Sequence, residues 1–157
     1  MQRVIFLANK YAKEFFKKIN EHWGCETQEV LSRFAVLKST KDKIYLMSKD
    51  VENVELTNKR LDSIGLYFAD VHDDKVRLSM EGSQLVGPIA TRNIIDVTEQ
   101  ELKKWLRGED LVKEGTWEGC VIIKYGTDFA GSGKYSNGTI YNFVPKTRRT
   151  KELLVST

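Results

Sequence analysis

The dipeptide Asn137-Gly138 is the feature that most restricts how this chain can fold. It lies between the β-rich segments "GKYS" and "TIYNFVP". Asparagine and glycine both tolerate the positive φ that the two central residues of a tight hairpin turn require. We therefore predict two antiparallel strands that meet at this turn.

The residues before the hairpin predict a helix and another strand. Segment 98–101, "TEQE", has the pattern of a capping box, in which Thr98 accepts from a free backbone N–H and Glu101 reaches back to the helix start. It predicts a short helix that ends at Gly108. The almost continuous apolar run of 119–126, "GCVIIKYG", predicts a strand buried on both sides. A helix followed by several short strands is the outline of a small barrel.

The first half has a different outline. Residues 8–22 predict an amphipathic helix that ends at Gly24, with lysines on one side. The apolar stripe that we expect to enter the core consists of Tyr11, Phe15, Phe16 and Ile19. Two pairs of β-rich segments follow, and each pair is joined by a short polar turn, so we predict two hairpins: 33–39 with 43–48, and 63–71 with 75–80.

These patterns predict an α+β protein with two units. Segment 81–88, "EGSQLVGP", interrupts the strands and reads as a short helix or a tight loop, and 93–97, "NIIDV", as a buried strand. We place the division here. Residues 1–95 are expected to form a helix packed on an antiparallel sheet, and residues 96–157 a barrel-like unit with one short helix.

Charge is distributed unevenly along the chain. The formal net charge is only +3, yet residues 129–151 contain five basic side chains and no acidic one. A local excess of positive charge indicates a binding face for a polyanion. A solvated, frayed basic end remains the alternative interpretation, since such ends are common at chain termini.

The sequence offers no catalytic constellation, metal site or cofactor motif. Segment 126–136 has glycines and a lysine, but their register does not match a nucleotide-binding loop. Cys25 and Cys120 are far apart and form no zinc pattern, so we expect free thiols, with a disulfide as the alternative. The apolar run 4–8 is too short for a signal peptide or a membrane span, which predicts a cytoplasmic protein.

Three motifs in the second half occur in a recognisable order: Arg107-Gly108-Glu109, Gly131-Ser132-Gly133-Lys134, and Asn142-Phe143-Val144-Pro145-Lys146. Over residues 98–150 this order resembles the PUA family, the pseudouridine synthase and archaeosine transglycosylase domain. More narrowly, it is similar to the PUA-like C-terminal domain of Sun-type RNA cytosine-5 methyltransferases. The first half, through "RLSMEGSQLVGP", resembles the domain that precedes PUA in archaeal RNA-modification and ribosome-assembly proteins.

The resemblance implies a pseudobarrel that binds structured RNA, either rRNA or tRNA, beside a catalytic partner such as an RNA methyltransferase or a pseudouridine synthase. The chain has no room for the methyl-donor-binding domain and no cysteine in a nucleophile motif. It is therefore expected to be a non-catalytic RNA-binding accessory in RNA modification or ribosome biogenesis. The alternative is a protein-interaction adaptor in ribosome assembly that has no RNA affinity of its own.

Structured RNA is recognised by shape and by contacts to phosphates and 2′-hydroxyls, which need cations and close backbone approach. We expect a cationic rim where the helix end, the glycine-bordered hairpin and the final turn converge. Tyr125, Tyr135 and Tyr141 are candidates for stacking on exposed bases. The predicted RNA-binding residues are Arg107, Gly108, Lys124, Tyr125, Gly133, Lys134, Tyr135, Asn142, Lys146, Arg148 and Arg149.

Overall fold

The computed structural model describes residues 4–49 and 65–150 of the chain. Within them the polypeptide forms two five-stranded sheets, each packed against at least one helix. The predicted α+β class is therefore confirmed, as is the order of a helix with an antiparallel sheet followed by a second sheet with a short helix. The division at residues 95 and 96 stays a prediction.

The first sheet is antiparallel throughout, and its strands lie side by side in chain order. Both predicted hairpins are present in it, although residues 63 and 64 of the second pair lie outside the described residues. The strands are β1 (Val4–Phe6), β2 (Phe34–Ser39), β3 (Lys43–Ser48), β4 (Leu66–His72) and β5 (Lys75–Leu78). Strand β5 therefore forms one edge of this sheet.

Helix α1 (Asn9–Trp23) covers one face of the first sheet. Phe15 and Ile19 are buried in the core, and Gly24 ends the helix with a φ of +61°, as the sequence predicted. The prediction that Tyr11 enters the core is wrong, because its side chain is 57% exposed. Helical spacing identified the correct face, but the first turn of α1 extends beyond the apolar surface that the sheet offers.

Three further helices and two short 3-10 helices complete the described chain. The helices are α2 (Gln28–Leu31), α3 (Met80–Val86) and α4 (Glu99–Leu106). The 3-10 helices are Gly87–Ile89 and Lys146–Arg148. The segment expected to be a short helix or a tight loop therefore forms α3, and the capping box at the start of α4 is present with both of its hydrogen bonds.

The second sheet is mixed and combines strands from distant parts of the chain. Its strands are β6 (Ile94–Asp96), β7 (Leu111–Val112), β8 (Gly119–Tyr125), β9 (Asp128–Ser136) and β10 (Thr139–Asn142). They lie in the order β6-β8-β9-β10-β7, with β6 parallel to β8. The predicted hairpin joins β9 and β10, and both turn residues have positive φ, +49° at Asn137 and +83° at Gly138.

Strand β8 is shared by the two hydrophobic cores. Ile122 packs into the core beneath α1, whereas Val121 and Ile123 point into the core of the second sheet. This alternation confirms the predicted burial on both faces. Trp105 of α4 fills the second core, where its indole N–H donates to the backbone oxygen of Ala130 at 2.6 Å.

The C-terminal end of α1 is capped by the segment that leads into β6. The backbone N–H groups of Thr91 and Arg92 donate to the carbonyl oxygen of Trp23 at 2.8 and 3.0 Å. The amide of Asn93 donates to the carbonyl oxygen of His22 at 2.8 Å. A helix leaves its last carbonyls without intrahelical partners, and here the connection between the two sheets provides those partners.

Candidate nucleic-acid interface

The end of α4 and the last described residues of the chain form one surface. The backbone N–H of Thr150 donates to the carbonyl oxygen of Leu106 at 2.8 Å, which fixes the C-terminal segment beside the helix end. The side chain of Arg149 crosses Gly108 so closely that a Cβ at Gly108 would lie 2.3 Å from the Arg149 Nε. The space that the missing Cβ leaves is therefore filled by an arginine of the same chain. We call Arg107, Gly108, Lys146, Arg148 and Arg149 the basic rim.

The cations of the basic rim differ in their partners. Arg107 donates from Nε to the Glu109 carboxylate at 2.8 Å, and Arg148 pairs with Glu81 of α3. Arg149 donates to the backbone oxygen of Val144 at 3.1 Å. Within residues 4–49 and 65–150, neither Lys146 nor Arg149 forms an ion pair. The rim thus has two cations without an acidic partner and two that are held by carboxylates.

Asn142 forms hydrogen bonds that connect β10 to the end of α4 and to the segment after β10. Its side-chain amide donates to the carbonyl oxygens of Trp105 and Glu109, at 2.7 and 2.9 Å, and its oxygen accepts from the backbone N–H of Val144 at 2.7 Å. Because both amide hydrogens and the oxygen already have protein partners, Asn142 positions the rim. A direct contact of Asn142 with RNA stays a prediction.

Gly133 and Lys134 point to opposite faces of the β9–β10 ribbon. A Cβ at Gly133 would lie 2.5 Å from the Trp105 ring, so this glycine is required by the packing of the second core. Side chains alternate along a strand, and Lys134 is accordingly exposed on the other face. The structure therefore does not place Lys134 within the basic rim.

The three other predicted residues lie elsewhere. Tyr125 packs against the second core, and Lys124 lines a small cleft beside Arg92. Tyr135 contacts Trp117 edge to face at 5.4 Å between ring centroids, and its hydroxyl hydrogen-bonds the backbone N–H and carbonyl oxygen of Gly115, each at 3.1 Å. Neither of these two tyrosines offers a free ring face comparable with that of Tyr141, which is 46% exposed.

Sequence reasoning missed one cation, which stacks on Phe143. The guanidinium carbon of Arg77 lies 3.7 Å from the centroid of the Phe143 ring. The two residues belong to different sheets, since β5 carries Arg77 and Phe143 follows β10. No local pattern signals a pair so distant in sequence, although Phe143 directly follows a predicted site residue.

Both cysteines are free thiols. Burial raises the pKa of the Cys25 thiol, and burial likewise raises the pKa of the Cys120 thiol. A raised pKa leaves less of the reactive thiolate at neutral pH. In the described parts of the chain, no group of three His, Cys, Asp or Glu side chains converges as a metal site would require. Among the helices of these same parts, none has the length and apolar character needed to span a bilayer.

Comparison with known proteins shows what the second sheet is similar to. Residues 92–150 match the family described as the methyltransferase RsmF PUA domain. The resemblance to the PUA-like domain of Sun-type methyltransferases is thereby confirmed over these residues. They include α4, all of the second sheet and the basic rim.

Individual relatives extend the similarity into the first half. The ribosomal RNA small subunit methyltransferase F of Vibrio parahaemolyticus is 23% identical over 84% of this chain, and that of Vibrio cholerae is 24% identical over 88% of it. The chain spans about a third of these relatives, 35% of the first and 31% of the second. The similarity to an archaeal pre-PUA domain stays a prediction.

Proposed function

We propose that this chain is a non-catalytic RNA-binding protein that recognises structured RNA, rRNA or tRNA, through the backbone and shape of the ligand. The basic rim carries this proposal: Arg107 and Arg149 lie together at the end of α4, Lys146 and Arg148 belong to the 3-10 helix just before Arg149, and all four lie within the residues that match an RNA methyltransferase PUA domain. Phosphates are the ligands that such a cluster of arginines and lysines fits best.

The rim has the geometry for contact with phosphates. Lys146 is exposed on the 3-10 helix, and Arg149 is held across Gly108 by the packing at the end of α4. Contact with RNA would replace the carboxylates that now accompany Arg107 and Arg148 by phosphate oxygens. An arginine binds such oxygens in bidentate fashion. A rim that is fixed in the free protein has less conformational entropy to lose on binding.

The proposed role is that of an accessory to RNA modification or ribosome biogenesis. The chain corresponds to about a third of the methyltransferases that it resembles, and it would act beside an RNA methyltransferase or a pseudouridine synthase. Incubation of the chain alone with RNA and a labelled methyl donor should give no transfer to RNA. Transfer above background would contradict the non-catalytic part of the proposal and leave RNA binding intact.

The direct test of RNA binding is an affinity measurement across a range of salt concentrations. Cations that contact phosphates release counterions, so log affinity should fall linearly with log salt. Three to four phosphate contacts at the rim correspond to a slope of about −2 to −3.6, according to whether the RNA is single-stranded or duplex-like. Absence of binding, or binding without a salt slope, would refute the proposal.

A charge-matched pair of triple variants tests the location. Replacement of Lys146, Arg148 and Arg149 by glutamine should weaken binding and reduce the slope. The control variant replaces three exposed lysines of the first half by glutamine: Lys10, Lys13 and Lys41. Both variants lose the same formal charge. An equal loss of affinity in both would show that overall charge, rather than the rim, binds RNA.

One observation favours a second candidate, the protein-interaction adaptor. Ile5, Phe6 and Tyr11 are large apolar side chains that are at least half exposed, and all three lie in β1 or the first turn of α1. Exposed apolar groups close together indicate protein contact sites. Salt-insensitive binding to a ribosome-assembly protein that Phe6→Ser abolishes, with no RNA retained, would favour the adaptor over the RNA-binding protein.

A further inference from the structure

A groove lies where the C-terminal half of α1 meets the two sheets. It has a volume of about 570 Å³ and runs between the edge strand β5 and the ribbon. Lys75 and Arg77 line it from β5, and Lys134 and Phe143 line it from the second sheet. The groove thus receives positive side chains from both halves of the chain.

Lys134, which lines this groove, forms a cross-strand pair with Tyr141. Their α-carbons are partners in the register of β9 and β10, so their side chains leave the same face of the ribbon. Lys134 is exposed, and within the described residues it has no acidic partner. The pair presents an aromatic face and a free ammonium group side by side, the combination that a base and its phosphate require.

Arg77 contacts an aromatic ring, and its cross-strand partner on β4, Asp70, forms its ion pair with Lys43. The Arg77 guanidinium stacks on Phe143, which directly follows β10 and lies two residues after Tyr141. In the part of the chain that the structure describes, Arg77 forms no ion pair. Stacking orients the guanidinium while it leaves the N–H donors available to a ligand.

Three acidic residues also line the groove. Asp73 and Asp74 form the turn between β4 and β5, and Asp74 pairs with Lys18 of α1 at 3.1 Å. Glu118 directly precedes Gly119, whose partner in the register of β8 and β9 is Tyr135, the neighbour of Lys134. A polyanion would therefore lie against Lys134 and Arg77 and would avoid the acidic turn at Asp73 and Asp74.

The groove and the basic rim lie close to each other along the chain. Phe143 lines the groove and Lys146 belongs to the rim, so their α-carbons are at most about 11 Å apart. That distance is short enough for one RNA strand to contact both surfaces. The combination of aromatic and cationic groups favours a nucleic-acid strand over an acidic peptide.

We propose that this groove binds an unpaired stretch of the same RNA, with Tyr141 stacked on a base and Lys134 and Arg77 on its phosphates. The N-terminal half then takes part in RNA recognition through β5. This inference rests on the proposed RNA-binding function and adds a single-stranded element to its ligand. Unpaired nucleotides expose the base faces that aromatic side chains recognise, whereas a duplex hides them.

The test compares a short RNA hairpin with the same hairpin carrying a single-stranded oligouridine tail. The full chain should bind the tailed RNA about tenfold more tightly, the effect of one or two stacked bases and their phosphates. Tyr141→Ala, Lys134→Gln and Arg77→Gln should each remove much of this preference and leave the affinity for the untailed hairpin nearly unchanged. Tyr11→Ala and Lys41→Gln, at exposed positions of the first half, are the matched controls.

The outcomes separate the two proposals. Loss of binding to both RNAs in the unaltered protein would refute the RNA-binding function and this inference with it. Binding of both RNAs without preference for the tail, or a preference that the three variants leave intact, would overturn the groove alone. A tail that contains 4-thiouridine provides a readout independent of variant folding, since photocrosslinks should map to the peptide 135–146. Crosslinks confined to other peptides would also overturn it.

Discussion

Arg149 lies across Gly108 where α4 ends, in the space that any larger residue at position 108 would occupy. The glycine has a φ of +95°, a backbone conformation that residues with a Cβ rarely adopt. Two separate requirements therefore exclude other residues at this position. One concerns the turn that ends the helix, and the other concerns the arginine that forms the centre of the basic rim.

Gly108→Ala should weaken RNA binding as well as lower stability. We expect the free energy of unfolding to fall by about 1–2 kcal/mol from the left-handed backbone, and RNA affinity to fall because Arg149 is displaced. The control is Gly126→Ala, at a φ of +60° with no atom within 4 Å of the added Cβ. It should lose similar stability in denaturant titrations but keep its RNA affinity. Equal RNA binding by both variants would contradict a role for the packed arginine.

Glu81→Gln should strengthen RNA binding. Glu81 holds Arg148 in a partly exposed ion pair, and removal of its charge frees the guanidinium for phosphate and removes a repulsive group. Surface pairs contribute up to about 1 kcal/mol, so affinity should rise by up to about fivefold at low salt. Glu14→Gln, an exposed acid of α1, makes the same change of charge elsewhere. A decrease in affinity for Glu81→Gln would indicate that the pair orients Arg148 for its ligand.

Glu101 should make stability depend on pH. Burial alone would raise the pKa of Glu101, but hydrogen bonds from the backbone of Thr98 and from Lys113 outweigh it and lower the pKa below its usual value. A lowered folded pKa stabilises the protein above the unfolded pKa, about 4.3, and this stabilisation disappears as pH falls through the folded value. Glu101→Gln should therefore cost about 0.5–1 kcal/mol at pH 7, and the difference should vanish in strong acid.

The matched control for that experiment is Glu99→Gln in the same helical turn. Glu99 pairs with Lys103 at 3.7 Å, but its side chain is far more exposed than that of Glu101. Its replacement should change the free energy of unfolding very little at either pH. A pH-independent loss for Glu101→Gln would mean that the amide spoils the capping geometry and that charge contributes nothing.

Trp105→Phe should destabilise the second core more than its small loss of volume suggests. The indole N–H donates to the Ala130 carbonyl in a fully buried site, and phenylalanine would leave that oxygen without a partner. An unsatisfied buried acceptor costs about 1–3 kcal/mol. Trp117→Phe, at a partly buried indole that packs on Tyr135, should cost less. Equal costs in thermal unfolding would argue against the hydrogen bond as the source.

Cys120 should resist alkylation in the folded protein. Burial raises the pKa of its thiol, which keeps it protonated at the mildly alkaline pH used for labelling. Its side chain is partly exposed, so iodoacetamide should modify it in the folded protein, but more slowly than in protein unfolded by denaturant. Peptide mapping that shows equal rates of Cys120 modification in buffer and in denaturant would contradict the raised pKa.

The local features of the fold were predictable because each depends on residues close together in sequence. Asn137-Gly138 specifies its turn through φ, and Thr98 and Glu101 specify a helix start through two hydrogen bonds. The parallel pairing of β6 with β8 was not predicted, because a three-residue strand carries no pattern that identifies its partner. The prediction for Tyr11 was wrong because periodicity shows which side of a helix is apolar but does not show how much of that side the sheet covers.

The arrangement of the candidate site was less predictable than its composition. The segment 129–151 appeared free of acidic charge, yet Glu81 reaches Arg148 from α3. Glycine at 133 suggested an open approach for a ligand, but a tryptophan 28 residues earlier fills the space beside it. Each case is a contact between elements distant in sequence. Residue type shows which contacts a side chain can form, and only the folded structure shows which of them are already formed within the protein.

The capping of α1 by residues 91–93 has a practical consequence for protein engineering. A chimera that transplants only residues 92–150 onto another enzyme would abandon Trp23 and His22, the acceptors that hold Thr91, Arg92 and Asn93 in place. The residues directly before strand β6 would then lack their hydrogen bonds to α1. A graft that also contains α1 keeps these hydrogen bonds, so we expect the smallest transferable module to be longer than residues 92–150.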